Sequence, residues 1–384
     1  MSNPFLGLIF HWIGGLASAS FYIPYRGVKK WAWETYWLAG GFFSWIIAPW
    51  ILASIMTRDL PAVLSETSGS TLFWTYFFGV LWGLGGLTFG LTMRYLGISL
   101  GMAVALGFCA AFGTLIPPIF HGEFATKILG TTSGLVILLG VGVCLAGIGV
   151  SGMAGMTKER EMSEEQKRAV IKEFDFKKGI LVATFSGIMS ACFSYGLDAG
   201  KPIKALTLEH GTAQLWQGLP VLVVVLLGGF TTNFIWCVFL NFRNGTGGQY
   251  FGAQGGHGTE GPILETAIDA PAEEMARQAP LSSPEPTRTP LLMNYLFCAL
   301  AGTLWYFQFF FYTMGESQMV KYPFSSWTLH MSSIIIFSSL WGLALKEWRG
   351  ASRKAMTFLI LSLAVLIAST VVIGYGNYLA ANAQ

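Results

Sequence analysis

Ten apolar segments, each about 20 residues long, alternate with polar stretches along this 384-residue chain. We place them at 4–24, 36–56, 72–93, 98–119, 130–152, 178–199, 214–240, 291–314, 325–345 and 355–379. Helices of that length span a bilayer, and a chain with 53% hydrophobic and 11% charged residues fits no soluble class. A transmembrane barrel would instead show segments of about ten residues that alternate between apolar and polar. The sequence therefore predicts an all-α polytopic membrane protein with ten transmembrane helices.

Lysine and arginine are shared unevenly between the loops, which we count from the N-terminus. Five of the 23 lie in even-numbered loops, and the rest lie in odd-numbered loops. The five are Arg58, Lys127, Lys201, Lys204 and Lys321. Because positively charged loops stay in the cytoplasm, we expect both termini outside, which is the periplasm for a bacterial inner membrane. The net charge of +3 is too small to indicate a nucleic-acid partner.

A short repeat links the first and sixth segments. Gly15–Tyr22 (GLASASFY) and Gly187–Ser194 (GIMSACFS) share glycine, serine, alanine and phenylalanine in register. This offset puts five helices in each half, and because five is odd the second half would be inverted relative to the first. We therefore predict a first half at 1–156, a cytoplasmic connector at 157–177 and a second half at 178–384. Chance similarity between helices rich in small residues is the alternative.

The stretch from Gly302 to Gly315 (GTLWYFQFFFYTMG) places polar groups inside an apolar helix. Trp305, Gln308 and Tyr312 share one helical face, at i, i+3 and i+7. An amide without a partner is costly in hydrocarbon, so this face should meet a wet cavity or another helix. Aromatic faces together with groups that donate and accept hydrogen bonds suit a polyhydroxylated ring. A packing face whose glutamine bonds a neighbouring helix is the alternative.

Three further side chains extend this candidate sugar site. Trp327 and His330 share a face in the ninth segment, and an indole beside an imidazole again suits a sugar. His11 in the first segment is a candidate for binding the sugar or for carrying a proton, because histidine titrates near physiological pH. A histidine bonded to a neighbouring carbonyl is the alternative for His11.

Two carboxylates near segment ends are further candidates for proton coupling. Asp198 ends the sixth segment, where pairing with Lys201 at i+3 is the alternative. Glu34 begins the second segment, where a carboxylate is also favoured by the helix dipole. No phosphate loop, nucleophile elbow, HExxH sequence or acidic metal cluster occurs. We therefore expect no metal, no cofactor and no enzymatic activity, and the residues leave the coupling ion and the oligomeric state open.

Five short motifs run from one end of the chain to the other. They are YRGVKKWAWET (25–35), GLTMRYLG (90–97), LWYFQFFFY (304–312), SWTLHMS (326–332) and LKEW (345–348). Together they resemble the L-rhamnose–proton symporter family of the drug/metabolite transporter superfamily. The resemblance implies two inverted five-helix halves and proton-driven uptake of a deoxyhexose.

On this interpretation the sugar site and the proton carrier both lie between the halves. The sugar site would be lined by Trp305, Gln308, Tyr312, Trp327, His330 and His11. The proton would be carried by Asp198, Glu34 or His11, in a transporter that works by alternating access.

Other functions stay open at this stage. One is transport of another small metabolite, such as a different sugar or a nucleoside, by the same fold. Another is a sugar sensor that signals through the stretch at 241–290, whose Gly-rich and Pro-rich ends predict a mobile cytoplasmic loop with a short surface helix near 262–278. An enzyme acting on lipid-linked sugars would need a clustered acid pair or metal ligands, which the sequence lacks.

Overall fold

The computed structural model describes residues 3–161, 175–253, 289–319 and 321–382. Ten helices in these ranges are long and apolar enough to cross a membrane. They are α1 (Pro4–Tyr25), α2 (Trp33–Met56), α3 (Gly69–Leu96), α4 (Ile98–Phe120), α5 (Thr132–Glu161), α6 (Phe176–Ala199), α7 (Leu219–Asn244), α8 (Leu291–Glu316), α9 (Ser325–Ala344) and α10 (Arg353–Asn382). No strand occurs within the described ranges. The predicted all-α class with ten membrane helices is confirmed, and each helix overlaps its predicted segment.

Two predictions concern stretches that lie mainly outside the described residues. The charged connector at 157–177 is described only at its two ends, where it continues α5 and begins α6. The surface helix near 262–278, within the loop at 241–290, falls entirely outside them.

Helices α3 and α4 are joined by a single residue, Gly97. Its φ of +80° lies in the left-handed region that favours glycine, so the chain reverses direction without a longer loop. Gly101 in the first turn of α4 packs on α3, because a Cβ there would lie 3.2 Å from Cγ2 of Thr92. The two helices are therefore antiparallel neighbours.

Local features that the periodicity did not predict occur in α2 and in the even-numbered loops. Phe42–Ile47, in the middle of α2, is π-helical. The loop after α2 contains the short helix Leu60–Glu66, and the loop after α6 contains the helix Lys201–Glu209. Lys204 in the second of these binds Glu316 at the end of α8, with 2.6 Å between nitrogen and oxygen. The even-numbered loops therefore cover that end of the bundle, which we call the even-loop end, and the opposite end is the odd-loop end.

Small residues set how closely the helices pack. α1 packs on α8 and α9, α6 packs on α3 and α4, and α5 packs on α10. A Cβ on Gly15 of α1 would lie 2.6 Å from Cβ of Ser333 in α9, and one on Gly187 of α6 would lie 2.6 Å from Cβ of Phe108 in α4. Both glycines of the short repeat thus sit where two helix backbones approach closely.

Candidate functional site

Four of the six residues predicted to bind sugar form one cluster, which we call the central cluster. It consists of His11 from α1, Tyr312 from α8, and Trp327 and His330 from α9, all at most 2% exposed. The ring of Tyr312 lies 5.3 Å, centroid to centroid, from both His11 and His330, and 5.8 Å from Trp327. The two imidazoles are 6.4 Å apart. Aromatic faces and imidazole nitrogens from the two ends of the sequence therefore meet at one place.

Glycines on α1 and α8 allow the helices to come this close. A Cβ on Gly315 would lie 2.7 Å from Nε2 of His11, and a Cβ on Gly14 would lie 3.5 Å from Cε1 of His330. The Oγ of Ser333 also donates to the backbone oxygen of His11 at 2.9 Å, which ties α9 to α1. A side chain on Gly315 would push the imidazole of His11 out of position, whereas a Cβ on Gly14 would be in ordinary contact with His330.

Helix α4 fixes the other side of the central cluster. The indole Nε1 of Trp327 donates to the backbone oxygen of Cys109 at 3.0 Å. The next residue, Thr328, shares a hydrogen bond of 2.7 Å with Thr114. The ring of Trp327 is thus held in one orientation, with Phe193 stacked near it at 5.9 Å and the edge of Tyr312 at 5.8 Å.

Several polar atoms around the central cluster have no hydrogen-bond partner among the described residues. They are both ring nitrogens of His11, both ring nitrogens of His330, Nε2 of Gln308 and Oγ of Ser326. Gln308 is 3% exposed and Ser326 is fully buried. An unsatisfied buried polar group costs about 1–3 kcal/mol, so these atoms mark positions for water or for the hydroxyls of a solute.

Trp305 lies apart from the central cluster, towards the odd-loop end. Its ring is 4.3 Å from Phe21 and 6.4 Å from Trp37, and its Nε1 also lacks a partner. Two phenylalanines lie between Trp305 and the central cluster. The ring of Phe309 is 6.1 Å from Trp305 and 4.3 Å from Phe193. The ring of Phe193 is in turn 5.9 Å from Trp327. Trp305 and Tyr312 share a helical face but differ in depth by about 10 Å, at 1.5 Å per residue.

A cavity of about 160 Å³ reaches the central cluster from the even-loop end. Its floor includes the buried side chains of Tyr312, Ser194 and Leu197. Its mouth is formed by charged or titratable side chains. They are His121, Glu123, Lys127, Asp198, Lys201, Glu316 and Lys321. Tyr312 is the one member of the central cluster that lines the cavity, and its ring lies 5.3 Å from both imidazoles, so one ring separates the cavity from His11 and His330.

Asp198 bridges two basic side chains at the mouth. Its Oδ2 lies 2.6 Å from Nε2 of His121, and its Oδ1 lies 2.5 Å from Nζ of Lys201. The pairing with Lys201 at i+3 that the sequence offered as the alternative is present. His121 was not predicted from the sequence. Its position just after Pro117 and Pro118, at the end of α4, indicated a residue at a helix end that faces the surface.

Glu34 lies at the opposite end of the bundle, in the first turn of α2. The side chain is fully buried, and its Oε1 accepts hydrogen bonds from Nδ2 of Asn244 at 2.8 Å and from Oγ1 of Thr246 at 2.9 Å. Nearby, burial raises the pKa of Tyr250, whose hydroxyl oxygen accepts from Nδ2 of Asn241 at 3.2 Å. The carboxylate therefore belongs to a hydrogen-bonded network between α2 and the segment that follows α7.

The odd-loop end is tied together by hydrogen bonds between separate segments. Asn294 at the start of α8 accepts from the backbone nitrogen of Lys29 at 3.0 Å and donates to its backbone oxygen at 2.8 Å. Arg26 lies 3.8 Å from Glu347, which joins the loop after α1 to the loop after α9. These contacts tie the loops of the odd-loop end to one another, and the cavity described above opens at the even-loop end.

Ten membrane-length helices around a buried polar cluster, with a cavity at one end, define a polytopic membrane protein. Among the described residues, no group of three or more His, Cys, Asp or Glu side chains could hold a metal ion. The model of the family described as L-rhamnose-proton symport protein (RhaT) matches residues 1–244 and 275–380.

Similar proteins agree with this match. A protein from Shigella boydii serotype 18 named L-rhamnose-proton symporter is 36% identical over 378 residues, 98% of this chain and 99% of its own length. A protein of the same name from Escherichia coli strain SMS-3-5 matches with the same identity and coverage. The chain belongs to the L-rhamnose-proton symport protein family, so it is a transporter and not an enzyme.

Proposed function

We propose that this protein takes up L-rhamnose, or a closely related deoxyhexose, together with protons by alternating access. The names of its relatives support both the sugar and the coupling ion. The observation that carries the proposal is the central cluster itself, in which aromatic rings surround imidazole nitrogens that have no partner among the described residues, and whose Tyr312 lines a cavity.

The central cluster is suited to a sugar by its chemistry. The C–H face of a pyranose stacks on the rings of Trp327 and Tyr312, and its hydroxyls bond to His11, His330 and Gln308. The ring nitrogens of both histidines and Nε2 of Gln308 have no partner among the described residues, so binding would satisfy them rather than displace other protein groups. Trp305 contacts the sugar at a later stage, when the sugar moves past Phe309 towards the odd-loop end. The proton candidates are His11, Asp198 and Glu34.

The packing of the helices supports two inverted halves, 1–156 and 178–384, joined by a connector at 157–177. If α1 to α5 correspond to α6 to α10, the contacts of α1 with α8 and α9 should match those of α6 with α3 and α4. These contacts do correspond, as do those of α2 with α8 and of α7 with α3. Rocking of one half against the other would then close the even-loop end and open the odd-loop end.

The charge of the loops supports a bacterial inner-membrane location with both termini in the periplasm. In that orientation the cavity opens to the periplasm and the odd-loop end faces the cytoplasm. A tag placed at the C-terminus should be accessible in intact spheroplasts, whereas a tag inserted within 254–288 should require permeabilised membranes. The reverse accessibility would contradict this orientation.

Uptake by membrane vesicles tests the function directly. An imposed inward proton gradient should drive accumulation of labelled L-rhamnose, and an uncoupler should abolish it. Accumulation that ignores both the gradient and the uncoupler would overturn proton coupling. Competition by unlabelled sugars and nucleosides ranks the substrates, and a variant that lacks 254–288 separates transport, which should persist, from signalling through that loop.

A further inference from the structure

We infer that His11 and His330 act as a pair that holds the transported proton, and that the sugar and the proton stabilise each other at this pair. The inference rests on the proposed function and deepens it, because it chooses among the proton candidates and adds His330 to them. It predicts one proton for each sugar.

The two imidazoles lie near each other, and neither takes part in a hydrogen bond with the described residues. Both are fully buried, they come from α1 and α9, and their centroids are 6.4 Å apart. None of their four ring nitrogens has a hydrogen-bond partner among the described residues. A hydroxyl group between the rings would give a nitrogen of each a partner, and a sugar provides several such groups.

The surroundings of the pair contain little other charge. Tyr312 is the titratable side chain that faces both rings, at 5.3 Å from each. Glu316, one turn further along α8, is already in an ion pair with Lys204. From α9 the near groups are Trp327 and the hydroxyl of Ser333, which bonds a backbone oxygen. The ion pairs that the described residues form with histidine involve His121 and His210, not the central pair.

The two carboxylate candidates are less suited to carry the proton. Asp198 already binds His121 and Lys201, and Glu34 already accepts from Asn244 and Thr246. Protonating either carboxylate would weaken bonds that the protein has formed. Protonating an imidazole of the central pair weakens none of the hydrogen bonds formed by the described residues, because neither ring takes part in one.

Sugar binding and proton binding are coupled because the proton's charge lies on a buried imidazole that contacts the sugar. A buried positive charge without a partner is unfavourable, whereas sugar hydroxyl oxygens accept strong hydrogen bonds from an imidazolium. Sugar binding therefore favours proton binding, and by linkage proton binding favours the sugar to the same degree. The lone pair of one ring nitrogen takes a proton from a hydronium ion, which leaves as water, and the same N–H returns the proton to a water molecule as hydronium when the other end opens. A second charge only 6.4 Å away is repelled, so the pair holds one proton.

Purified protein in liposomes allows the inference to be tested with His11→Gln and His330→Gln. Glutamine keeps hydrogen-bonding groups but does not titrate. His210→Gln, outside the bundle beside Glu66, is the matched control for the substitution itself. Each variant is measured for gradient-driven accumulation of rhamnose and for exchange of labelled against unlabelled rhamnose without a gradient.

Under the inference, His11→Gln and His330→Gln exchange rhamnose at a reduced rate, but their accumulation ratio falls to 1. His210→Gln accumulates rhamnose like the unaltered protein. Asp198→Asn and Glu34→Gln still accumulate rhamnose above equilibration, whatever their rates. Accumulation by both variants of the pair, or its loss in Asp198→Asn alone, would overturn the inference. Failure of the unaltered protein to move rhamnose would instead overturn the proposed function.

A measurement on the unaltered protein keeps the inference testable if the variants do not fold. Adding rhamnose in weak buffer should cause uptake of at most one proton per sugar. The rhamnose-induced infrared difference spectrum should show imidazole changes without the carbonyl band of a newly protonated carboxylic acid. Appearance of that band would place the proton on a carboxylate and contradict the inference.

Discussion

Gly14 in α1 packs against the backbone of Gln308 in α8, so closely that a Cβ on Gly14 would lie 2.9 Å from the carbonyl oxygen of Gln308. The same Cβ would be 3.5 Å from the ring of His330. The absence of a side chain at Gly14 thus sets how closely α1 approaches α8 beside the central cluster. The geometry of the site therefore depends on a residue that presents no functional group.

We expect Gly14→Ala to disturb both stability and binding. Overpacking of this kind costs about 1–3 kcal/mol, and here the atom that must move is backbone. The melting temperature and the rhamnose affinity of detergent-solubilised protein should both fall. Gly149→Ala in α5 is the matched control, because a Cβ there meets nothing within 4 Å. Equal behaviour of the two variants would contradict the close packing.

Gln308→Leu separates a ligand-binding amide from a packing amide. Since Nε2 of Gln308 has no partner, leucine should leave the melting temperature unchanged or raise it. Loss of a hydrogen bond to the sugar should weaken rhamnose binding about tenfold, which corresponds to about 1.4 kcal/mol. The control is Gln318→Leu. The side chain of Gln318 accepts a hydrogen bond from the backbone nitrogen of Asn3, so its replacement should lower stability without affecting affinity. A large loss of stability in Gln308→Leu with unchanged affinity would make Gln308 a packing residue.

Tyr312→Phe tests whether the cavity floor contacts the sugar. Removal of a phenol hydroxyl that bonds the solute should weaken rhamnose binding by about 0.5–1.5 kcal/mol, seen in equilibrium binding of labelled rhamnose. Tyr306→Phe on the same helix provides the comparison, because its hydroxyl is buried without a partner and is remote from the cavity lining. If both variants bind rhamnose as tightly as the unaltered protein does, Tyr312 is not part of the site.

Two tryptophans should respond differently to replacement by phenylalanine. Trp327→Phe removes the hydrogen bond from the indole to the backbone oxygen of Cys109 and should lower the free energy of unfolding by about 0.5–1.5 kcal/mol beyond the lost packing. Trp305→Phe breaks no such bond, because its Nε1 has no partner. Thermal or denaturant unfolding in detergent measures the difference. A greater loss of stability in Trp305→Phe would contradict the role of the Trp327 hydrogen bond.

The sequence predicted the helices well because membrane length and hydrophobicity are local properties. It did not predict the π-helical stretch Phe42–Ile47 or the helix Lys201–Glu209, which depend on packing and on contacts such as that of Lys204 with Glu316.

For the candidate site, helical spacing identified which residues share a face but not their depth. Trp305 therefore looked equivalent to Tyr312, although Phe309 and Phe193 separate it from the central cluster. His121 was missed because its pairing with Asp198 joins the ends of two helices, α4 and α6. Helical spacing gives no information about contacts of that kind.

The mouth of the cavity carries three carboxylates, Glu123, Asp198 and Glu316, and three ammonium groups, Lys127, Lys201 and Lys321. Opposite charges in equal number produce little long-range field, so the entrance neither attracts nor repels solutes by sign. Capture of an uncharged sugar from dilute solution is then limited by diffusion and fit. Added salt should therefore leave the rate of sugar entry nearly constant over a wide range of ionic strengths.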